Sequence, residues 1–103
     1  MYARLTTFRV KPDKMEDMRR WREEHHAEIL AQPGLRQWIG MVGDDGEVVV
    51  VSLFDDERAA RESMTYVRNL WSQMAPMLEG EPTARFLNVM AAENPAMQAH
   101  AIA

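Results

Sequence analysis

The sequence predicts an α+β domain in the order βαββαβ, and three observations carry that prediction. The run Val48 to Phe54 is apolar on both alternating faces, so it reads as a strand that must be covered on both sides. Two long segments with helical spacing, one from Asp13 and one from Asp55, stand apart from runs rich in β-branched and aromatic residues. Pro12, Pro33-Gly34, Gly43-Asp44-Asp45-Gly46 and Gly80-Glu81-Pro82 punctuate the chain between them.

Residues 2 to 10 give a first strand that ends before Pro12. Asp13, with Glu16 three residues on, has the spacing of a capping box, and the helix it opens is expected to run to about Gln32, where Pro33-Gly34 stops it. Leu35 to Val42 and Glu47 to Phe54 form a hairpin about a turn whose residues tolerate positive φ. Asp55, Asp56 and Glu57 place negative charge at the start of the second helix, which is expected to reach about Leu78. Ala84 to Met90 closes the order as a fourth strand. This is the ferredoxin-like split βαβ unit, an antiparallel four-stranded sheet with both helices on one face. Two helices cover one face only, so the second apolar face of Val48 to Phe54 calls for a second copy of the chain or a ligand, and the expectation is a homodimer.

The 103 residues make one domain, residues 1 to 90, followed by an alanine-rich tail, 91 to 103, in which Asn94 before Pro95 has the form of a short helix start. That tail reads either as a frayed terminus or as an arm on the partner subunit. The net charge of −4 and the sequence pI near 5.3 argue against a nucleic-acid surface. Cysteine is absent, which removes disulfides, thiolate nucleophiles and thiolate-bound metal, and suits a reducing compartment. Met1 to Val10 alternates and carries Arg4 and Arg9, unlike an export signal, and no apolar stretch has the length of a membrane span; the expected setting is the cytoplasm.

Any site has to be built from the inner faces of the helices. On the second helix Ala60, Met64, Val67, Trp71, Met74 and Leu78 recur at core spacing, with Leu70 and Met77 beside them. The chain holds nine methionines, so this interior is soft, suiting either plain packing or a pocket for a flat apolar ligand. On the first helix the inner face by period is Met15, Met18, Arg22, His25 and Ile29, with Trp21 and His26 flanking. Arg22 and His25 either point into a cavity, as a cation and a proton-transfer group, or belong to a rotated helix on which Arg22 snorkels outward and His25 is half buried. His25 and His26 are adjacent and diverge on a helix, so they do not chelate one ion; no metal site, glycine-rich phosphate loop or hydrolase serine elbow is present, and no cofactor is expected.

Residues Tyr2 to Lys14, the segment Gln32-Pro33-Gly34-Leu35 with Trp38, the strand ending Val49-Val50-Val51-Ser52-Leu53-Phe54-Asp55-Asp56 and the alanine-rich helix after it resemble the antibiotic biosynthesis monooxygenase-like proteins, over roughly residues 2 to 90. The resemblance implies a dimeric α+β barrel with a pocket between helices and sheet in each subunit. It also implies a cofactor-independent monooxygenase acting on a small aromatic or quinol-like substrate, with His25 as base, Arg22 or Arg36 as cation, and Trp38, Trp71, Tyr66 and Met64 around the ligand. The haem-degrading relatives of this group resemble one another in a first-strand asparagine and a second-helix histidine, whereas residues 2 to 10 contain no asparagine and residues 57 to 78 no histidine. A non-catalytic dimeric module for small hydrophobic molecules is the alternative. An RNA-recognition domain would need exposed third-strand aromatics and a basic face, which are missing, and a regulatory amino-acid-binding domain usually accompanies an enzyme domain.

Overall fold

The computed structural model describes residues 1–95, so the expected arm beyond Pro95 lies outside the described residues. Strand-forming residues build β1 (Tyr2–Arg9), β2 (Leu35–Val42), β3 (Glu47–Phe54) and β4 (Thr83–Asn88), and the helices are α1 (Met15–Glu24), α2 (His26–Leu30) and α3 (Glu57–Met74). The four strands form one antiparallel sheet in the order β2-β3-β1-β4, the ferredoxin-like arrangement expected from the sequence.

Pairing register decides which residues share a face. Arg4 lies opposite Ser52 of β3, Thr6 opposite Val50, Phe8 opposite Val48 and Tyr2 opposite Phe54, and this set faces the helices. Leu5 opposite Val51, Ala3 opposite Leu53 and Thr7 opposite Val49 occupy the other face, which Ile39 of β2 and Leu87 of β4 extend. Ile39 and Leu87 are each 40% exposed, and Leu5, Val49, Val51 and Leu53 are half-buried: among the described residues no helix covers this side of the sheet. The doubly apolar character of β3 is thus real, with one side packed and the other open.

The first helix departs from expectation at both ends. Asp13 sits inside a short 3₁₀ turn, Pro12–Lys14, and no side chain caps α1; Glu16 bonds Arg19 at 2.7 Å instead of reaching back. Proline at the head of that turn fixes φ, and the helix begins one residue later than a capping box at Asp13 would start it. The helix is also not continuous to Gln32. His25, at φ −103° and ψ 11°, separates α1 from α2, and its Nδ1 lies 2.8 Å from the Trp21 carbonyl, the oxygen its own backbone N–H also reaches at 3.0 Å. A side chain inserted beside a carbonyl of the i to i−4 ladder is a recognised cause of such a break.

The second long helix, α3, starts as expected: the Asp56 side chain accepts from the Ala59 N–H at 2.8 Å. It ends at Met74 rather than Leu78, because Pro76 sits in a closing 3₁₀ turn, Ala75–Met77, and cannot extend the ladder. Leu78 nevertheless keeps its inward position, buried beside Val10 and Met74.

Between α2 and β2, Gly34 adopts φ +78°, and a Cβ there would fall 2.7 Å from the Ala59 Cβ. Its carbonyl accepts from Asp55 N–H at 2.9 Å, tying the start of β2 to the end of β3. Gly34→Ala therefore meets both a left-handed backbone cost and a clash with α3. It is expected to destabilise the fold by about 3 kcal/mol, read as a lowered midpoint in urea denaturation with an unchanged slope.

Candidate functional site

The core does not close into one body. One cluster gathers Val10, Met74 and Leu78, another Ile29, Val67 and Leu70, and Trp21 and Trp71 touch both. Between the helix-facing side of the sheet and the helices lies a cavity of about 460 Å³, within the range of small-molecule pockets. Thr6, Phe8, Val48 and Val50 form its floor; Met15, Met18 and Trp21 of α1, Ile29 of α2, and Val67, Leu70, Trp71 and Met74 of α3 form its roof. Trp38 and Gly40 of β2 border it as well. Gly40 matters by what it lacks: a Cβ there would come within 2.8 Å of the Trp38 ring, so the glycine lets the indole lie across its own strand.

The polar content of this apolar chamber is concentrated at one place. Arg4 is 1% exposed, on the central strand β1, and among the described residues no carboxylate pairs with it. Its guanidinium donates to the Ser63 hydroxyl of α3, to Gln32 Oε1 at 3.3 Å and to the Ser52 hydroxyl at 3.3 Å. Gln32 is oriented in turn by donating to the Ile29 carbonyl at 2.8 Å, and Ser63 by donating to the Ala60 carbonyl at 2.6 Å. The guanidinium stands over the Phe54 ring at 5.3 Å. Burial pulls its pKa down to about 10, still far above neutrality, so Arg4 is cationic at physiological pH. Arg4 Nε and the Thr6 hydroxyl are both buried with no hydrogen-bond partner among the described residues.

The residues expected from sequence divide clearly. Arg22, Trp38 and Trp71 line the cavity; Arg22 is exposed at its rim and has no ion-pair partner among the described residues. His25, Tyr66, Met64 and Arg36 do not line it. The His25 ring is stacked on Trp21, with centroids 4.2 Å apart, on an indole that does line the cavity. Since a carbonyl only accepts, the contact with the Trp21 oxygen puts the imidazole proton on Nδ1. Tyr66 is exposed and donates to the Glu28 carbonyl at 2.6 Å, with its phenol pKa raised by desolvation and by Glu28. Met64 packs against the Ile29 cluster, and Arg36 pairs with Asp55 at 3.2 Å on the surface.

Three arginines, Arg4, Arg19 and Arg22, are the titratable groups of the lining, and Arg19 is already paired with Glu16. Sequence reasoning missed Arg4, Thr6, Gln32, Ser52 and Ser63. The available signal was Ser52 interrupting an otherwise apolar strand, which the β1–β3 register sets opposite Arg4. Among the described residues no three His, Asp or Glu side chains come together as a metal site, and no helix is long and apolar enough to cross a membrane.

No protein-family model matches the sequence, and no curated protein matches it. Solved structures do. A monooxygenase of Streptomyces coelicolor, crystallised with nanaomycin D, superposes with a TM-score of 0.72 at 24% identity over 91% of each chain. A Nitrosomonas europaea protein of unknown function gives 0.75 at 18% identity, covering 91% of this chain and 93% of that one. A Caulobacter crescentus protein named as a candidate antibiotic biosynthesis monooxygenase gives 0.73 at 18%, covering 87% and 90%. The chain has the fold of the antibiotic biosynthesis monooxygenase structures.

Ser63 both bonds the buried guanidinium and sits in the inner stripe of α3. Ser63→Ala is expected to cost about 2 kcal/mol in chemical denaturation, because it leaves an N–H of a buried cation unmatched.

Proposed function

We propose that the protein is a cofactor-independent monooxygenase of the antibiotic biosynthesis monooxygenase type, acting as a homodimer on a small aromatic, quinol-like substrate held in the cavity. The observation that carries this reading is the cavity itself: aromatic and thioether walls, about 460 Å³ of space, and cations with no carboxylate among its lining residues. The shared fold with the nanaomycin-bound monooxygenase supports it.

An electron-rich substrate such as an anthrone supplies the electrons itself. Loss of a ring C–H proton gives a carbanion or enolate that reduces oxygen; one oxygen atom becomes the new carbonyl, and the other leaves as water with the two hydrogens of the reacting carbon. The protein's part is to bind the ring between Trp38 and Trp71 and to favour the anion over its protonated form. Arg22 at the rim and Arg4 within are the groups suited to that. His25, behind the Trp21 indole, is assigned the positioning of that wall, since it lies outside the lining.

The open face of the sheet supports the homodimer. Leu5, Val49, Val51 and Leu53, with Ile39 and Leu87 at the flanks, make a continuous apolar surface of the kind a second copy buries by two-fold pairing. The cysteine-free composition fits a reducing, cytoplasmic setting as part of the same reading.

One observation favours a second reading, a non-catalytic binding module: among the described residues neither an imidazole nor a carboxylate lines the cavity, so none of them offers the ligand a conventional base. Oxygen uptake by metal-depleted protein supplied with 1,8-dihydroxyanthrone separates the two. The monooxygenase reading expects one oxygen molecule consumed per anthraquinone formed, and a rate about tenfold lower for Arg22→Ala. Uptake no faster than without protein, with the anthrone bound, would establish the binding module.

Native mass spectrometry is expected to give a dimer, and Val51→Glu a monomer, because the substitution buries a charge at the centre of the pairing face. A monomeric wild-type chain would contradict the assembly.

A further inference from the structure

We propose that Arg4 and Thr6 form an anion-binding subsite at the floor of the cavity, and that the ligand is an aromatic molecule carrying an anionic oxygen, a carboxylate or a phenolate, which that subsite holds. This rests on the reading of the cavity as a ligand site and narrows what the ligand is.

A guanidinium taken out of water is expensive unless an opposite charge or a full set of acceptors meets it. Arg4 has neither. Its three hydrogen bonds all go to neutral acceptors, two of them at 3.3 Å, so of its five N–H groups two stay unmatched, that of Nε among them. The unmatched Thr6 hydroxyl lies two residues along the same strand, on the same face, and both residues line the cavity. Two buried donors without a partner, on residues in the wall of an apolar chamber, are groups that an oxygen with lone pairs would satisfy, and the fixed positive charge favours a negative one.

The surroundings agree on the sign. The other charged groups of the lining are Arg22 and the Glu16-paired Arg19, on the α1 side, and no described lining residue is a carboxylate. Ser52, Ser63 and Gln32 hold the guanidinium in place without neutralising it, which keeps its charge available. Burial lowers the Arg4 pKa to about 10, and a bound anion would oppose that shift.

The subsite also bears on the chemistry. A cavity whose lining holds no base can still favour the ionised form of a weak acid, because a cation beside the oxygen lowers the acid's pKa, and each unit of that shift is a tenfold preference for the anion.

The test uses the full chain and three probes: naphthalene-2-carboxylate, its neutral isostere naphthalene-2-carboxamide, and 2-naphthol, whose ionised form is distinguished by absorbance. Calorimetry is expected to show the carboxylate bound about tenfold or more tighter than the carboxamide, or bound 2-naphthol ionising about one pH unit or more below free 2-naphthol. The first outcome names a carboxylate ligand and the second a phenolate. Arg4→Met should abolish whichever preference is seen, Arg4→Lys should retain part of it, and Thr6→Val should weaken it severalfold in a fold that loses only a hydroxyl.

Equal binding of carboxylate and carboxamide with no shift in 2-naphthol would overturn the subsite and leave the aromatic cavity standing. Unchanged preference in both folded Arg4→Lys and Thr6→Val would also overturn it. Binding of none of the probes would remove the ligand site itself, and with it both readings.

Discussion

A cation buried at the centre of the sheet without a counter-ion among the described residues is the constraint around which the rest of the site is arranged. Arg4 must be solvated by protein, and the solvating groups come from three places in the fold: Ser52 from β3, Ser63 from α3 and Gln32 from the segment just after α2. Each stands where an apolar residue would otherwise complete the core. The arrangement also fixes register, since a one-residue slip of β1 against β3 would turn Arg4 to the opposite face and leave all three acceptors behind. A polar network of this kind specifies one packing while contributing little net stability.

The interior is divided. Helix α3 buries Ala60, Ser63, Val67, Leu70 and Met74, and the last three of these also line the cavity. Trp21 and Trp71 bridge the two clusters, so the walls of the chamber are also the contacts that join the halves of the core. Four methionines, Met15, Met18, Met41 and Met74, line the space, and their flexible thioethers let the walls follow a ligand's outline without breaking the sheet.

Architecture was largely legible in the sequence because it depends on local signals. The hairpin boundaries at Leu35, Val42, Glu47 and Phe54 coincide with the structure, since Pro33-Gly34 and Gly43 to Gly46 leave the backbone few choices. The helix ends were read less well. A carboxylate three residues before a glutamate resembled a capping box, but Pro12 had already committed the chain to a 3₁₀ turn, and nothing in the periodicity showed that His25 would bond the Trp21 carbonyl and split the helix.

The site was read from helix periodicity and from the family resemblance, which together found Arg22, Trp38 and Trp71 and also pointed to His25, Tyr66, Met64 and Arg36, whereas Arg4, Thr6 and Ser52 lie on strands. Along β1 both faces mix polar and apolar residues, so alternation does not tell which side is inside; only pairing across the sheet joins Arg4 to Ser52, and only packing brings Ser63 and Gln32 to the same point. Contacts between residues 28, 48 and 59 positions apart in the chain have no local signature.

The most direct measurement is the ¹H–¹⁵N resonance of the Arg4 Nε–H, assigned by its loss in Arg4→Lys, followed as naphthalene-2-carboxylate and then naphthalene-2-carboxamide are added. If Arg4 receives an anionic oxygen, the carboxylate moves the resonance strongly downfield and slows its exchange with water, while the carboxamide does so weakly. A resonance unmoved by the carboxylate, at concentrations where the ring resonances of Trp38 and Trp71 show the cavity filled, would contradict the account.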